Sequence, residues 1–471
     1  MRVDSRQLQI DFEGFLAEVG AEHQEQQEAL SAGAIAPKKK TRTLTDEEAL
    51  LERIVAKDNV ELAATRVRAN RGSAGIDKMS VSELRDYLEA HIDTLREDVL
   101  QGRYKPQAVR RVEIPKKEKG KVRLLGIPTV VDRCIQQAIA QILSPIFEPQ
   151  FSEFSFGFRP NRSAHDALQA CIDIANEGYV WVVDMDLEKF FDTVAHSKLI
   201  RTLSNTIKDY RLISLIHKYL NAGVMEGNIF KETKVGVPQG GPLSPLLANI
   251  MLNELDKELE ARGHKFVRYA DDCMIFCKSR SAAERTLVSI TKFIEGKLHL
   301  KVNREKTCVA YLGSTKPPIK FLGYGFYKSK TWQLRLHPKA LKAMKDKVRE
   351  LTWRSQAGTW GEITSRIAVY VRGWVNYYKL ANMKGVLGDI DKWMRRRVRM
   401  LIWKRWKRVR TKYARLRKLG LNEDSAMTHA CARVAYWRAV KTPGVHVAIS
   451  NEYLKHHGLE SFLEYYEKVR V

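Results

Sequence analysis

The chain has 471 residues, 44% of them hydrophobic, a balance that suits two or three globular domains with buried cores and excludes general disorder. Lys and Arg outnumber Asp and Glu by 81 to 55, giving a net charge of +26 and a pI near 9.7, which points to a polyanionic partner, with nucleic acid first. The six cysteines (Cys134, Cys171, Cys273, Cys277, Cys308 and Cys431) form no Cys-x-x-Cys pair, against a disulfide scaffold or zinc module, and no stretch approaches the roughly 18 apolar residues of a membrane span.

"MRVDSRQLQIDFEGF" lacks the apolar run of a secretion signal, so a cytoplasmic protein is expected. Residues 1–45 read as an appendage ending in the linker "SAGAIAPKKKTRT", whose "PKKKTR" is taken as basic linker rather than a nuclear address. "LTDEEALLERIV" then starts a helix, with Thr45 or Asp46 as N-cap. Strand and helix patterns alternate from 46 to 335, the mark of an α/β or α+β domain. Strands are predicted at 110–116, 179–186, 264–270, 273–278 and in "IKFLGYGF" (319–326), and helices over "DRCIQQAIAQILSPIF" and "SPLLANIMLNELDKELEAR". From Arg335 to Gly420 there are 25 Lys and Arg against 5 Asp and Glu, so a second, helical and basic domain is expected to start at 336.

"KFVRYADDCMIFCK" reads as a hairpin whose tight turn carries Asp271 and Asp272. Adjacent carboxylates on a rigid base suit divalent metals, although such a turn can also be plain surface structure. Phosphoryl transfer by two Mg²⁺ ions about 4 Å apart calls for a third carboxylate from elsewhere. "YVWVVDMDLEKFFD" supplies one: its alternation puts Asp184 and Asp186 on one face, with Asp186 at the strand end and Asp192 expected as the N-cap of the next helix.

A strand-end aspartate, an aromatic five residues on, and Tyr-x-Asp-Asp on a neighbouring hairpin resemble the palm of reverse transcriptases, matched here by Asp186, Phe191 and "YADD" (269–272). The resemblance narrows with "NRGSAGIDKMS", "YKPQAVRRVEIPK", "KVRLLGIPTVVDR", "FSFGFRPNRSAHDAL", "VGVPQGGPLSPLLANIMLNELD", "LHLKVNREKT" and "RGWVNYYK", which follow one another as in group II intron reverse transcriptases. It covers roughly residues 45–471 and implies an α+β fold: fingers and palm of a right-hand polymerase at 46–335, a helical thumb or maturase domain at 336–415, and a small DNA-binding domain at 416–471. A bacterial, class C-like member of the cytosol or nucleoid, without a C-terminal endonuclease domain, is the expectation.

The resemblance also implies roles. Asp186, Asp271 and Asp272 would be catalytic and hold two Mg²⁺ ions, with Mn²⁺ as a substitute and Asp184 as the alternative to Asp186. Phe191 would stack beneath the incoming sugar and exclude a 2′-hydroxyl. Gln239, in "GVPQGGPLSP", would meet template and nucleotide. Lys116 and Arg123, flanking the hairpin tip "KEKGK", would grip the triphosphate, with Lys117 competing for the part of Lys116. Arg159 and Arg162 would contact the template, unless their segment is a rigid joint, and Lys306 would lie near primer or nucleotide.

"KWMRRRVRMLIWKRWKRVRTKYARLRK" (392–418) holds 14 basic and no acidic residues, with Ile402, Trp406, Val409, Tyr413 and Leu416 at helical spacing. A single helix is expected, apolar on one face and one-signed on the rest, which suits phosphate contact through Arg395, Arg396, Arg397, Lys404, Arg405, Lys407 and Arg408; an interfacial membrane helix is the competing use. The expected partners are intron RNA, an RNA template with a DNA primer, target DNA and deoxynucleoside triphosphates, with no membrane. An RNA-directed DNA polymerase that also assists splicing and retrohoming is the main reading. The rivals are a splicing cofactor without polymerase activity and a reverse transcriptase recruited to defence or DNA repair.

Overall fold

The computed structural model describes residues 49–115, 122–315 and 318–470. The appendage at 1–45, the expected caps Thr45 and Asp46, and both Lys116 and Lys117 lie outside the described residues. Two compact units divide between Tyr311 and Leu312.

The first unit is built on two sheets. Strands β1 (Val109–Pro115) and β2 (Val122–Ile127) form an antiparallel hairpin, and β1 pairs in parallel with β4 (Val224–Glu226), which carries the edge strand β5 (Ile229–Lys231). The second sheet, in order β6-β7-β3-β8, is antiparallel throughout: β3 (Trp181–Met185) sits centrally between β7 (Asp272–Cys277) and β8 (Cys308–Tyr311), and β6 (Lys265–Tyr269) completes it. Apolar sequence explains the central strand, since Val182, Val183 and Met185 are buried. Helices Ala164–Asn176 and Arg280–Phe293 pack on this sheet, and helices Val130–Phe147 and Ser244–Ala261 contribute much of the core.

Local chemistry sets several boundaries. Thr129 caps the Val130–Phe147 helix by accepting the Asp132 N–H. Ser163 caps the Ala164–Asn176 helix and forms a full capping box with Asp166. Asp192 is not a cap: it lies inside a short helix, Phe190–Thr193, and the next helix begins at His196 after Ala195, which makes no side-chain cap.

In the second unit, "IKFLGYGF" is not one strand. The chain turns at Leu322 and Gly323, both at positive φ (48° and 81°), and only then enters β9 (Tyr324–Lys328), paired with β10 (Trp332–Leu336). A Cβ on Gly323 would stand 2.5 Å from the Tyr378 hydroxyl, so packing as well as φ requires glycine. This hairpin binds the helix Trp360–Tyr378: Tyr377 donates to the Leu322 carbonyl at 3.0 Å, and the Tyr324 ring packs on Tyr377 and Tyr378. The unit therefore starts before the change in composition at 335.

Helices make up the rest of that unit, the longest being Lys384–Arg405. The stretch 392–418 is two helices, the second running Val409–Lys418, because the chain breaks at Lys407 (φ 22°). Ile402 and Leu416 are buried as expected, whereas Val409 is exposed. Asp391 is buried and accepts from Ser461 Oγ at 2.6 Å and from the N–H groups of Phe462 and Leu463, each at 2.9 Å, capping the last helix, Phe462–Val469, from another element. Replacing it with alanine removes a cap of about 1–2 kcal/mol. Asp391→Ala is thus expected to speed amide exchange across Phe462–Val469 by about tenfold or more, read by hydrogen exchange with mass spectrometry.

Candidate active site

The hairpin β6–β7 closes through Ala270 and Asp271, between the paired residues Tyr269 and Asp272. Ala270 has φ 55°, an uncommon conformation for a residue with a Cβ, so neighbouring structure has to hold it. Arg268 does so. Its guanidinium donates to the Ala270 carbonyl at 2.9 Å and to Asn249 Oδ1 at 3.0 Å, and it pairs bidentately with Asp256 at 2.7 and 2.5 Å. Neither side chain is more than 1% exposed.

A second brace comes from "FSFGF". Phe156 N–H donates to the Arg268 carbonyl, Arg268 N–H to the Phe154 carbonyl, and Asn249 binds the Gly157 carbonyl at 2.8 Å. Gly157 lies against the turn so closely that a Cβ would stand 2.3 Å from the Ala270 nitrogen. Neither Arg268 nor Gly157 was singled out from the sequence; the available signal was a charged residue at a core position of an apolar strand.

Across the sheet, β3 pairs Asp184 with Met274 and Met185 with Cys273. Continuing that register sets Asp186 opposite Asp272, while Asp184 lies further along the strand between Met274 and Cys308. Asp271 is half-buried and Asp272 exposed. The Lys306 ammonium sits 3.2 Å from each Asp186 carboxylate oxygen. Among the described residues no three His, Cys, Asp or Glu side chains converge into a ready metal cluster. The donor set nonetheless fits a hard divalent cation: oxygen ligands on facing strands, one already holding a cationic group.

Phe191 and Gln239 line one cleft of about 320 Å³, together with Arg111, Lys189, Gly236 and Val237. The Val237 N–H donates to the Phe191 carbonyl at 2.6 Å, and the Gln239 carbonyl accepts from Gly126 at 2.7 Å. Arg123 reaches Gln239 Oε1 at 2.9 Å, so three of the expected nucleotide contacts are neighbours. Gly240 (φ 119°) allows this docking, since a Cβ there would stand 2.7 Å from the Gly126 carbonyl.

Residues 114–326 match the family model of the reverse transcriptase (RNA-dependent DNA polymerase), and residues 341–420 that of the group II intron maturase-specific domain. The chain is 32% identical to protein YkfC of Escherichia coli K12 over 295 residues, covering 55% of this chain and 76% of that one. It is 30% identical over 390 residues to the group II intron-encoded protein LtrA of Lactococcus lactis, covering 63% of this chain and 64% of LtrA. The chain belongs to the group II intron-encoded reverse transcriptases. A polymerase domain dependent on divalent metal thus precedes a maturase domain, and no helix among the described residues is long and apolar enough to cross a membrane.

Within this reverse transcriptase some expected contacts are internal. Arg159, read as a template contact, is 3% exposed; it pairs with Glu148 and donates to the Ser152 and Ser155 carbonyls, so its segment is the rigid joint. Arg162 is half-buried, lies over the Phe156 ring and donates to the Glu153 carbonyl. In the maturase domain Arg396 stacks on Trp437 at 3.6 Å and donates to its carbonyl, and Arg397 bonds Thr352 Oγ1 at 2.7 Å. Arg405 donates to the Gln356 and Gly358 carbonyls, and Lys404 to Ser355. These four side chains tie the helix Lys384–Arg405 to neighbouring segments; Arg395 is half-buried, and Lys407 and Arg408 are exposed. The sequence reading missed Arg399, which is buried against the Ile449 carbonyl and Asn451, with burial pushing its pKa down to about 10.

Arg268→Met would strand the Asp256 carboxylate in the core, at a cost of about 3–5 kcal/mol, lowering the unfolding midpoint of the first unit in denaturant titration. Gly157→Ala is expected to keep native circular dichroism yet lose at least about tenfold in polymerase rate, because a displaced turn costs rate without costing the fold.

Proposed function

We propose that this chain copies RNA into complementary DNA, with Asp186, Asp271 and Asp272 as the catalytic carboxylates, and that it binds its parent intron RNA as a splicing maturase and reverse-transcribes that RNA during retrohoming. The observation that carries the reading is the register of β3 on β7, which sets Asp186 opposite Asp272 beside a turn held from behind by Arg268.

Two Mg²⁺ ions, or Mn²⁺ in their place, would be held by these three carboxylates and supply charge neutralisation for nucleotidyl transfer. The protein's own part is positional. Arg268, Asp256 and Gly157 fix the turn, so its carboxylates need little reorganisation when substrate arrives. Phe191 offers a ring against the sugar of the incoming deoxynucleoside triphosphate, where an added 2′-hydroxyl would clash. Arg123, hydrogen-bonded to Gln239, presents a guanidinium to the phosphates and keeps the Gln239 amide turned toward the cleft. The exposed Lys407 and Arg408 offer phosphate contacts to intron RNA, and target DNA would be met by the C-terminal residues 416–471.

Primer extension on an RNA template with Mg²⁺ and deoxynucleotides tests the first part. The intact protein should extend and Asp271→Asn should not; a folded, RNA-binding protein that never extends would leave splicing assistance as its activity. Phe191→Ala should raise ribonucleotide incorporation in the same assay by about tenfold or more, a loss of discrimination of the size expected for a steric contact.

A further inference from the structure

Three residues of the turn at 303–307 meet Asp186, at four of its atoms. Thr307 Oγ1 accepts the Asp186 N–H at 3.1 Å and lies 3.3 Å from its carbonyl oxygen. The Asn303 N–H donates to that carbonyl at 2.9 Å, and Lys306 Nζ reaches both carboxylate oxygens. The turn is itself stiff: the Asn303 carbonyl accepts from Lys306 and Thr307, and its side chain accepts the Glu305 N–H at 3.2 Å. Just before it, Leu187 and Val302 form an antiparallel bridge, and Glu188 N–H donates to the Lys301 carbonyl at 2.8 Å.

We propose that the Asn303–Thr307 turn is the positioning device for Asp186, with Thr307 fixing the strand end and Lys306 serving as a resident counter-cation that an incoming divalent ion displaces. This rests on Asp186 being a metal ligand, as argued above. The backbone bonds set where the carboxylate stands, and the ammonium sets which way it points. Lys306 is 60% exposed on a flexible stem and its partner 28%, so the pair is weakly held and can yield. A divalent ion brings twice the charge to the same two oxygens, so ion and ammonium exclude one another.

The test is Mn²⁺ binding to the full chain without nucleic acid, followed by electron paramagnetic resonance. Lys306→Met removes the competitor and should tighten binding by about two- to fivefold, the worth of an exposed ion pair. Thr307→Val should weaken it by about two- to tenfold, with Thr307→Ser restoring it, as for loss of one hydrogen bond. Unchanged or weaker binding in Lys306→Met overturns the displacement, and unchanged binding in Thr307→Val overturns the positioning. Asp186→Asn separates the two levels. Loss of Mn²⁺ there, with no response at Lys306 or Thr307, sinks this inference alone, whereas full binding in Asp186→Asn removes the metal-ligand reading beneath it.

Discussion

The buried pair of Arg268 and Asp256 is the interaction on which the site depends. A guanidinium in a core strand has to be neutralised and have its donors satisfied, and Asp256, Asn249 and the Ala270 carbonyl do this together. One side chain thereby ties the helix Ser244–Ala261 to the hairpin turn and holds Ala270 in a conformation it would otherwise avoid. The carboxylates beyond the turn inherit that rigidity.

The same chemistry recurs away from the site. Arg159 gathers the carbonyls of its own loop, Arg396 and Arg405 fasten the long maturase-domain helix to neighbouring segments, and Arg399 holds the Ile449 carbonyl. Arginine suits this work because its planar fork donates in several fixed directions at once and sheds water more readily than an ammonium. A net charge of +26 is therefore not all available to phosphates. Side chains such as Lys407 and Arg408, exposed where the helix breaks, remain in the solvent-facing part of that charge.

The motif "RGWVNYYK" belongs to the packing as well. Trp374 meets the Tyr378 and Phe462 rings, and Tyr377 fastens the turn at Leu322 that leads into β9, so the half-buried Trp374, Tyr377 and Tyr378 pack within the second unit. Asp391 works alongside them by capping a helix distant in sequence.

Sequence alone was enough for the α+β class, the order of the motifs, the tight hairpin turn at the Asp271–Asp272 pair and the basic helical region, because each is written in local periodicity, turn chemistry or charge; of the two aspartates expected in that turn only Asp271 lies there, and Asp272 opens β7. It also named Asp186, Phe191, Arg123, Gln239 and Lys306 as candidates. Tertiary structure decided what long-range contact controls. The pairing of β3 with β7 sets Asp186, rather than Asp184, level with the turn. Burial turned Arg159, and stacking on Trp437 turned Arg396, from candidate nucleic-acid contacts into internal ties. A break at Lys407 divided a helix whose periodicity read as continuous, and a turn at Gly323 divided an apparent strand. Thr307 and Arg268 came to light only in three dimensions, because a hydroxyl or a guanidinium declares its partner through spatial neighbours 121 and 12 residues away, beyond the reach of any local pattern.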